Sequence, residues 1–216
     1  YNIKLDGYVE VGFDAVKAIV NAVGGVEIEL TESEAAYLNA TNYIRPAKYR
    51  NVKAGTHILN GAQALGYSRI RKQAKGITPV TPNGKMDDYG RTWRQRNVIN
   101  AIFNKAKGTS LPKLMDMAQT ILSKYVTTDL NSQDIIGYMK DVVMMGTMEI
   151  YQLQIPMDGY FTTQANYQAP GSTTNLGSVI LPDMTTNTAA LKDFIFKYKG
   201  TPGQEYTYGG STAAPQ

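Results

Sequence analysis

The sequence predicts an α/β fold, and three observations predict it. Tyr8-Val9-Glu10-Val11 alternates as a strand does, a helical apolar pattern follows, and Val26-Glu27-Ile28-Glu29-Leu30 then alternates with period 2. Strand, helix, strand in that order is the opening of a layered α/β architecture. The chain has 216 residues, 43% of them hydrophobic, enough for one core of ordinary size. Further amphipathic stretches alternate with short apolar runs as far as residue 200. One domain over residues 1–200 is therefore expected. The stretch 201–216 (TPGQEYTYGGSTAAPQ) is small, polar and rich in Gly and Pro, and reads as a flexible tail.

The elements follow in order. Asp14 is placed to cap a helix with Ala15, Val16, Ile19, Val20 and Val23 on its apolar side, and Gly24-Gly25 ends it. After the strand at 26–30, residues 31–54 look irregular apart from a short helix at Glu32–Asn39. Asn60 is placed to cap a short helix reaching Leu65. Gly66 to Arg71 reads as a strand, and residues 72–86 as a loop rich in Lys, Gly, Pro and Thr. A helix is expected from Tyr89 to Lys107, closed by Gly108. A second begins at Ser110 and Pro112 and runs to Tyr125, burying Leu114, Met115, Ala118, Ile121 and Leu122. A third begins at Ser132 and reaches Met145. Then come a strand at Ile150–Ile155, a polar loop at 156–177, a strand at Val179–Leu181 and an amphipathic helix at Asn187–Tyr198.

Composition removes several kinds of chemistry. There is no cysteine, so disulfides, thiolate metal sites and thiol nucleophiles are excluded. The single histidine, His57, cannot make a multi-histidine metal site, and its place before Ile58-Leu59 suggests a turn or capping role. A net charge of +4 is too mild for a nucleic-acid arm. No apolar run reaches the roughly 18 residues that span a bilayer, and no signal peptide opens the chain. The methionines Met115, Met117, Met144, Met145 and Met148 read as core packing, with the lining of a lipid tunnel as the other reading.

The chemistry gathers in the arginines. Arg69 and Arg71 stand two apart on the expected strand and share a face. Arg91, Arg94 and Gln95 share a face of the first turns of the next helix, whereas Arg96 lies off it. Guanidinium binds phosphate through paired hydrogen bonds, and the open N–H groups of a helix start add to the attraction. Two arginine pairs suit a pyrophosphate. The competing reading is a set of surface ion pairs with Asp87 and Asp88. Asp88 in turn is either the helix N-cap, or a group that orients the arginines or acts as base toward an acceptor hydroxyl. Asp87 is open to the same readings. Lys72, Lys75 and Lys85 add a basic rim suited to attracting an anionic polymer.

Three ordered motifs carry a resemblance. They are GGVEIEL from Gly24, AGTHILNGAQALGYSRIRK from Ala54 and DDYGRTWRQRNVINAIF from Asp87. Gly24, Gly25, Val26 and Glu27 match the first motif. Leu59, Gly61, Ala64, Leu65, Arg69 and Arg71 match the second. Asp88, Tyr89, Gly90, Arg91, Arg94 and Gln95 match the third. Over residues 5 to 200 the chain resembles the LytR-CpsA-Psr family of bacterial cell-wall ligases. The resemblance implies an α/β/α sandwich around a central mixed β-sheet, with an apolar tunnel for a polyprenyl tail. It implies a phosphotransferase that moves an anionic glycopolymer (teichoic acid or capsule) from an undecaprenyl-pyrophosphate carrier to peptidoglycan at the extracellular face of the membrane. Arg69, Arg71, Arg91, Arg94 and Gln95 would bind the pyrophosphate, Asp88 and Arg91 would be the catalytic pair, and Mg2+ would assist. An upstream helix would anchor the protein.

The family domain begins further upstream, with strands that carry the metal ligands. The N-terminal part of the domain is thus expected to be absent from this chain, and the metal ligands with it. That half would be cut away, or present as a separate associated chain. Two alternatives remain for the function. One is a binding module for a polyprenyl phosphate or an anionic glycan, without chemistry. The other is a DNA-binding regulator. The helix from Tyr89 argues against the second, because its middle is apolar, and no nucleic-acid partner is expected.

Overall fold

The computed structural model describes residues 1–144, 149–197 and 206. The chain divides into two compact units, Asp6–Met148, and Tyr1–Leu5 with Glu149–Gln216. The larger runs through β1 (Val9–Val11), α1 (Phe13–Ala22), β2 (Val26–Leu30), α2 (Glu32–Ala40), a 3-10 turn at Ala47–Tyr49 and β3 (Gly55–Leu59). It continues with α3 (Gly61–Ser68), α4 (Asp87–Ala106), α5 (Leu111–Tyr125), β4 (Val126–Thr128) and α6 (Ser132–Met144). The smaller unit holds β5 (Phe161–Gln164), β6 (Val179–Pro182) and α7 (Met184–Phe196). Among the described residues the strands pair two by two and antiparallel: β1 with β4, β2 with β3, and β5 with β6.

The core forms where period-2 and period-3.6 patterns meet. β2 buries Val26, Ile28 and Leu30 and exposes Glu27 and Glu29. Against that face pack Val20 of α1, Leu38 of α2, Tyr67 of α3 and Val98 of α4. Each such side chain contributes about 1.5–3 kcal/mol by leaving water. The first two glycines of the GGVE motif take φ of 82° and 89°, a region open to glycine, and turn the chain from α1 into β2. α2 opens on a capping box: Thr31 accepts from the Glu34 N–H while the Glu34 carboxylate accepts from the Thr31 N–H. α3 opens on a second one, between Asn60 and Gln63.

Gly61 sets the distance between α1 and α3, since an added Cβ would run into the Lys17 backbone. Gly61→Ala is expected to cost about 1–3 kcal/mol through overpacking, read as a lower thermal midpoint in far-UV circular dichroism.

Several expectations are corrected. Gly66 does not start a strand; α3 stays helical to Ser68, with Arg69 as its C-cap. Gly66 is a close-packing position, where a Cβ would lie 2.7 Å from Ile44 Cγ1. His57 is on β3, opposite Ile28, and its ring nitrogen lies 3.0 Å from the Ala54 carbonyl. β3 itself exposes four of its five residues, so it carries no alternating pattern to read. Residues 150–155 form no strand, although the Gln152 carbonyl accepts a hydrogen bond from the Tyr206 N–H. The loop expected at 156–177 contains β5. Of the α5 residues expected to be buried, only Ile121 is; the others are half-buried. Asp14 lies inside the first turn of α1, whose N-cap is Gly12. Met145 and Tyr198, as helix ends, and the tail from Thr201 apart from Tyr206, lie outside the described residues.

In the smaller unit, Asp183 caps α7 by accepting from the Thr186 hydroxyl and backbone N–H at 2.6 and 3.1 Å. These bonds, the hydroxyl first, hold its carboxyl below the ordinary value of 3.8. A depressed carboxylate stabilises the fold above its unfolded pKa, and the contribution fades as pH falls through the folded one. Asp183→Asn is therefore expected to lower the thermal midpoint at pH 7 and to differ less from the parent at pH 3.

Candidate active site

The first turn of α4 carries Asp87 and Asp88, a favourable placement at the positive end of the helix dipole. Its N-cap is Met86, with no side-chain cap bond. Asp88 is therefore not the cap. Its Oδ1 instead lies 2.6 Å from Arg91 Nη2 and 3.1 Å from Arg71 Nε. One carboxylate thus draws together an arginine from the start of the α3–α4 connection and one from the next turn of α4. Both pairs are a third to nearly half exposed, so as ion pairs they add at most about 1 kcal/mol to stability. Their consequence is positional: two guanidiniums are held side by side at a helix N-terminus. Arg91 Nε is shielded from solvent and has no hydrogen-bond partner among the described residues. A buried donor in that condition calls for an acceptor.

Arg69 is held differently. Its guanidinium carbon lies 4.6 Å from the centre of the Phe13 ring and 5.4 Å from that of Tyr43. Stacking uses the flat faces of the guanidinium and leaves its N–H edge for an in-plane acceptor. Gln95 is exposed one turn beyond Arg91. Arg94 departs from the expected shared face. Its side chain is fully buried, with Nε 2.6 Å from Glu34 Oε1, Nη1 3.2 Å from the Ile70 carbonyl and Nη2 3.2 Å from the Pro79 carbonyl. The Tyr67 ring lies below it, 6.0 Å from the guanidinium carbon. Burial, then the charge of Glu34, push the Tyr67 phenol well above its ordinary range, against the Asn97 hydrogen bond and Arg94. Of the expected site residues, then, Arg71, Asp88 and Arg91 converge, Arg69 and Gln95 flank them, and Arg94 turns inward. Sequence reading missed Phe13, Tyr43 and Glu34. Only Glu34 left a trace, as the last residue of the T-x-x-E capping box.

The same unit contains an apolar pocket of about 450 Å³. Val9, Ile19, Ile102, Phe103, Leu114 and Ile121 are among its walls. Met117 lines it too, while the side chains of Met144, Met145 and Met148 lie outside the described residues. Of the half-buried residues of α5, Leu114, Ala118 and Leu122 are thus pocket wall, and Met115 is not. Residues on an α-helix are spaced by about 100° and 1.5 Å, which keeps Arg91, Gln95, Ile102 and Ala106 within roughly 60° of one another. One stripe of α4 therefore runs from the arginine cluster to the pocket wall roughly 16 Å along the axis.

The LytR_cpsA_psr family model matches residues 1–179. The polyisoprenyl-teichoic acid–peptidoglycan teichoic acid transferase TagU of Enterococcus faecalis is 31% identical over 172 residues, which are 77% of this chain and 48% of that protein. TagV of Bacillus subtilis, a transferase of the same description, is 30% identical over 128 residues, 59% of this chain and 29% of that one. The chain thus spans less than half the length of either relative. The crystal structure of B. subtilis TagV superposes over 91% of this chain and 65% of its own with a TM-score of 0.56 at 24% identity. That of Lin1025 from Listeria innocua covers 89% and 69%, with a TM-score of 0.55 at 21% identity. These structural likenesses show the fold, an α/β one, and the family match over residues 1–179 establishes that the chain belongs to the LytR_cpsA_psr family.

Proposed function

We infer that this chain carries the phosphate-binding side of a phosphotransferase site. That site moves an anionic or capsular glycopolymer from an undecaprenyl-pyrophosphate carrier to peptidoglycan. The observation that carries the reading is α4, whose one stripe presents Arg91 and Gln95 at its start and Ile102 and Ala106, both in the pocket wall, further on. A ligand with a doubly anionic head and a long apolar tail has the matching division. The names of the transferases TagU and TagV, which act on polyisoprenyl-linked teichoic acid, support the same substrate class.

In the reaction, a sugar hydroxyl of peptidoglycan attacks the phosphorus that bears the glycan. The bond from that phosphorus to the bridging oxygen breaks, and polyprenyl phosphate leaves with the electron pair. Arg71 and Arg91 would hold the pyrophosphate and neutralise the charge that grows on the leaving phosphate. Arg69, edge-on from its aromatic seat, and Gln95 would fix its orientation. Asp88 keeps Arg71 and Arg91 at phosphate-binding spacing through Oδ1, and Oδ2 would receive the hydroxyl proton.

The family also implies magnesium. Among the described residues no group of three or more His, Cys, Asp or Glu side chains could hold a metal ion. These residues offer no ready-made metal cluster, and the ligands of a magnesium ion are proposed to lie in another part of the parent protein. No described helix is long and apolar enough to cross a membrane. Anchoring at the outer face of the membrane is likewise part of the proposal, through a segment beyond this sequence. A second reading is a binding module for the same lipid without transfer. A transfer assay with peptidoglycan acceptor separates the two.

The lipid assignment is tested by filling the pocket. Leu114→Trp is expected to weaken geranylgeranyl pyrophosphate at least tenfold, about 1.4 kcal/mol, and to leave inorganic pyrophosphate unchanged in titration calorimetry. Equal affinity of variant and parent for the prenylated ligand would remove the pocket from the substrate path.

A further inference from the structure

Arg94 matches the arginine motif yet reaches no solvent, and the groups that consume it say why. Its three nitrogens bind Glu34, the Ile70 carbonyl and the Pro79 carbonyl. Ile70 is the residue between Arg69 and Arg71. Pro79 lies about midway along the segment that leads from α3 into α4. Glu34 is itself fully buried and fully used, giving Oε1 to Arg94 and Oε2 to the Thr31 N–H. Thr31 Oγ1 donates to the Val80 carbonyl at 2.8 Å, and Ser33 Oγ accepts from the Val80 N–H at 3.1 Å. The start of α2 and the guanidinium thus grip the beginning and the middle of the connection from α3 to α4. Gly90 completes the fit: a Cβ there would lie 3.0 Å from Arg94 Nη1.

We propose that the buried Arg94–Glu34 pair is a positioning device for the anion site, which locks the Ile70 carbonyl, and with it Arg69 and Arg71, in register with Arg91. This rests on the functional reading above, and it takes Arg94 out of the set of phosphate ligands. The reasoning is geometric. Arg91 and Arg94 are three residues apart on one rigid helix. Arg71 is one peptide unit from the carbonyl that Arg94 holds. The spacing of the two outer guanidiniums is therefore set by a guanidinium behind them. A fork is required for this, because a lysine ammonium cannot reach three acceptors laid out in one plane. Glu34 supplies the opposing charge that lets the fork be buried and fixes its orientation.

The test uses the full chain and four variants: Arg94→Lys, Glu34→Gln, Arg71→Ala and Arg91→Ala. Inorganic pyrophosphate probes the anion site and geranylgeraniol, a neutral alcohol, probes the apolar pocket. Each is measured well below the thermal midpoint of the variant concerned. Arg94→Lys is expected to weaken pyrophosphate tenfold or more while geranylgeraniol changes less than twofold. Glu34→Gln, which keeps the size and one acceptor, is expected to weaken pyrophosphate at least threefold. A loss of pocket binding in proportion would mean a general scaffold role and would overturn the proposal. So would parent-like pyrophosphate affinity in both Arg94→Lys and Glu34→Gln with Arg71→Ala defective, and this result leaves the functional reading standing. If Arg71→Ala and Arg91→Ala also bind like the parent, the functional reading itself fails. Arginine Nε–H resonances give an independent readout. On adding pyrophosphate those of Arg71 and Arg91 are expected to shift, while that of Arg94 stays in place; a large Arg94 shift would make it a direct ligand and end the proposal.

Discussion

Arg91→Ala is expected to abolish binding of the pyrophosphate lipid, and glycan transfer with it, while the protein stays folded. Arg91 is the residue in the cluster that both pairs with Asp88 and keeps a shielded, partnerless donor. Each hydrogen bond to a charged group contributes about 1.5–3 kcal/mol. The loss of a two-bond contact to phosphate then weakens affinity roughly a hundredfold or more, at 1.4 kcal/mol per factor of ten. The fold has little to lose, because the Arg91–Asp88 pair is well exposed. Titration calorimetry with geranylgeranyl pyrophosphate and a thermal melt of the same sample give the two numbers. Unchanged lipid affinity would sink the clamp assignment.

Arg94→Met is expected to have the opposite profile, with a large loss of stability. Removing the cation leaves Glu34 buried with no opposing charge and strands the Ile70 and Pro79 carbonyls. Breaking a buried ion pair from one side costs about 3–5 kcal/mol. For a chain of this size each kcal/mol moves the midpoint by roughly 2–4 °C, so a fall of about 10 °C is the central expectation. The double variant Glu34→Leu/Arg94→Met removes both charges and should recover most of the loss, as apolar replacements of buried pairs commonly do. A single variant that melts with the parent would show that the pair adds nothing to the fold. On the expected result, two arginines three residues apart in one motif differ completely: Arg91 acts in affinity alone, Arg94 in stability as well.

Much of the fold was legible. The alternation at Val26–Leu30, the cap at Asn60 and the apolar period of α4 and α5 are local signals, and each became the expected element within a few residues. Strands without such signals were not legible. β3 (Gly55–Leu59) exposes four of its five residues and is a strand because β2 offers it a ladder. Conversely, the apolar residues at 150–155 alternate without becoming a strand.

The candidate site divides in the same way. Sequence by itself determined the motif order, and hence the family, the arginine-rich start of α4 and the apolar stripe that continues along it. These depend on residue type and on spacing along the chain, which short-range geometry converts into faces. It could not separate Arg94 from Arg91 and Gln95, because i, i+3 and i+4 neighbours look alike along the chain. About 60° of rotation around the helix axis turns Arg94 toward Glu34, sixty residues away in sequence. Only the tertiary structure decided that one arginine of the motif would be spent inside the protein, because burying this guanidinium takes a carboxylate and two carbonyls from two other segments, and the packing of α2, the α3–α4 connection and α4 is what brings them to one point.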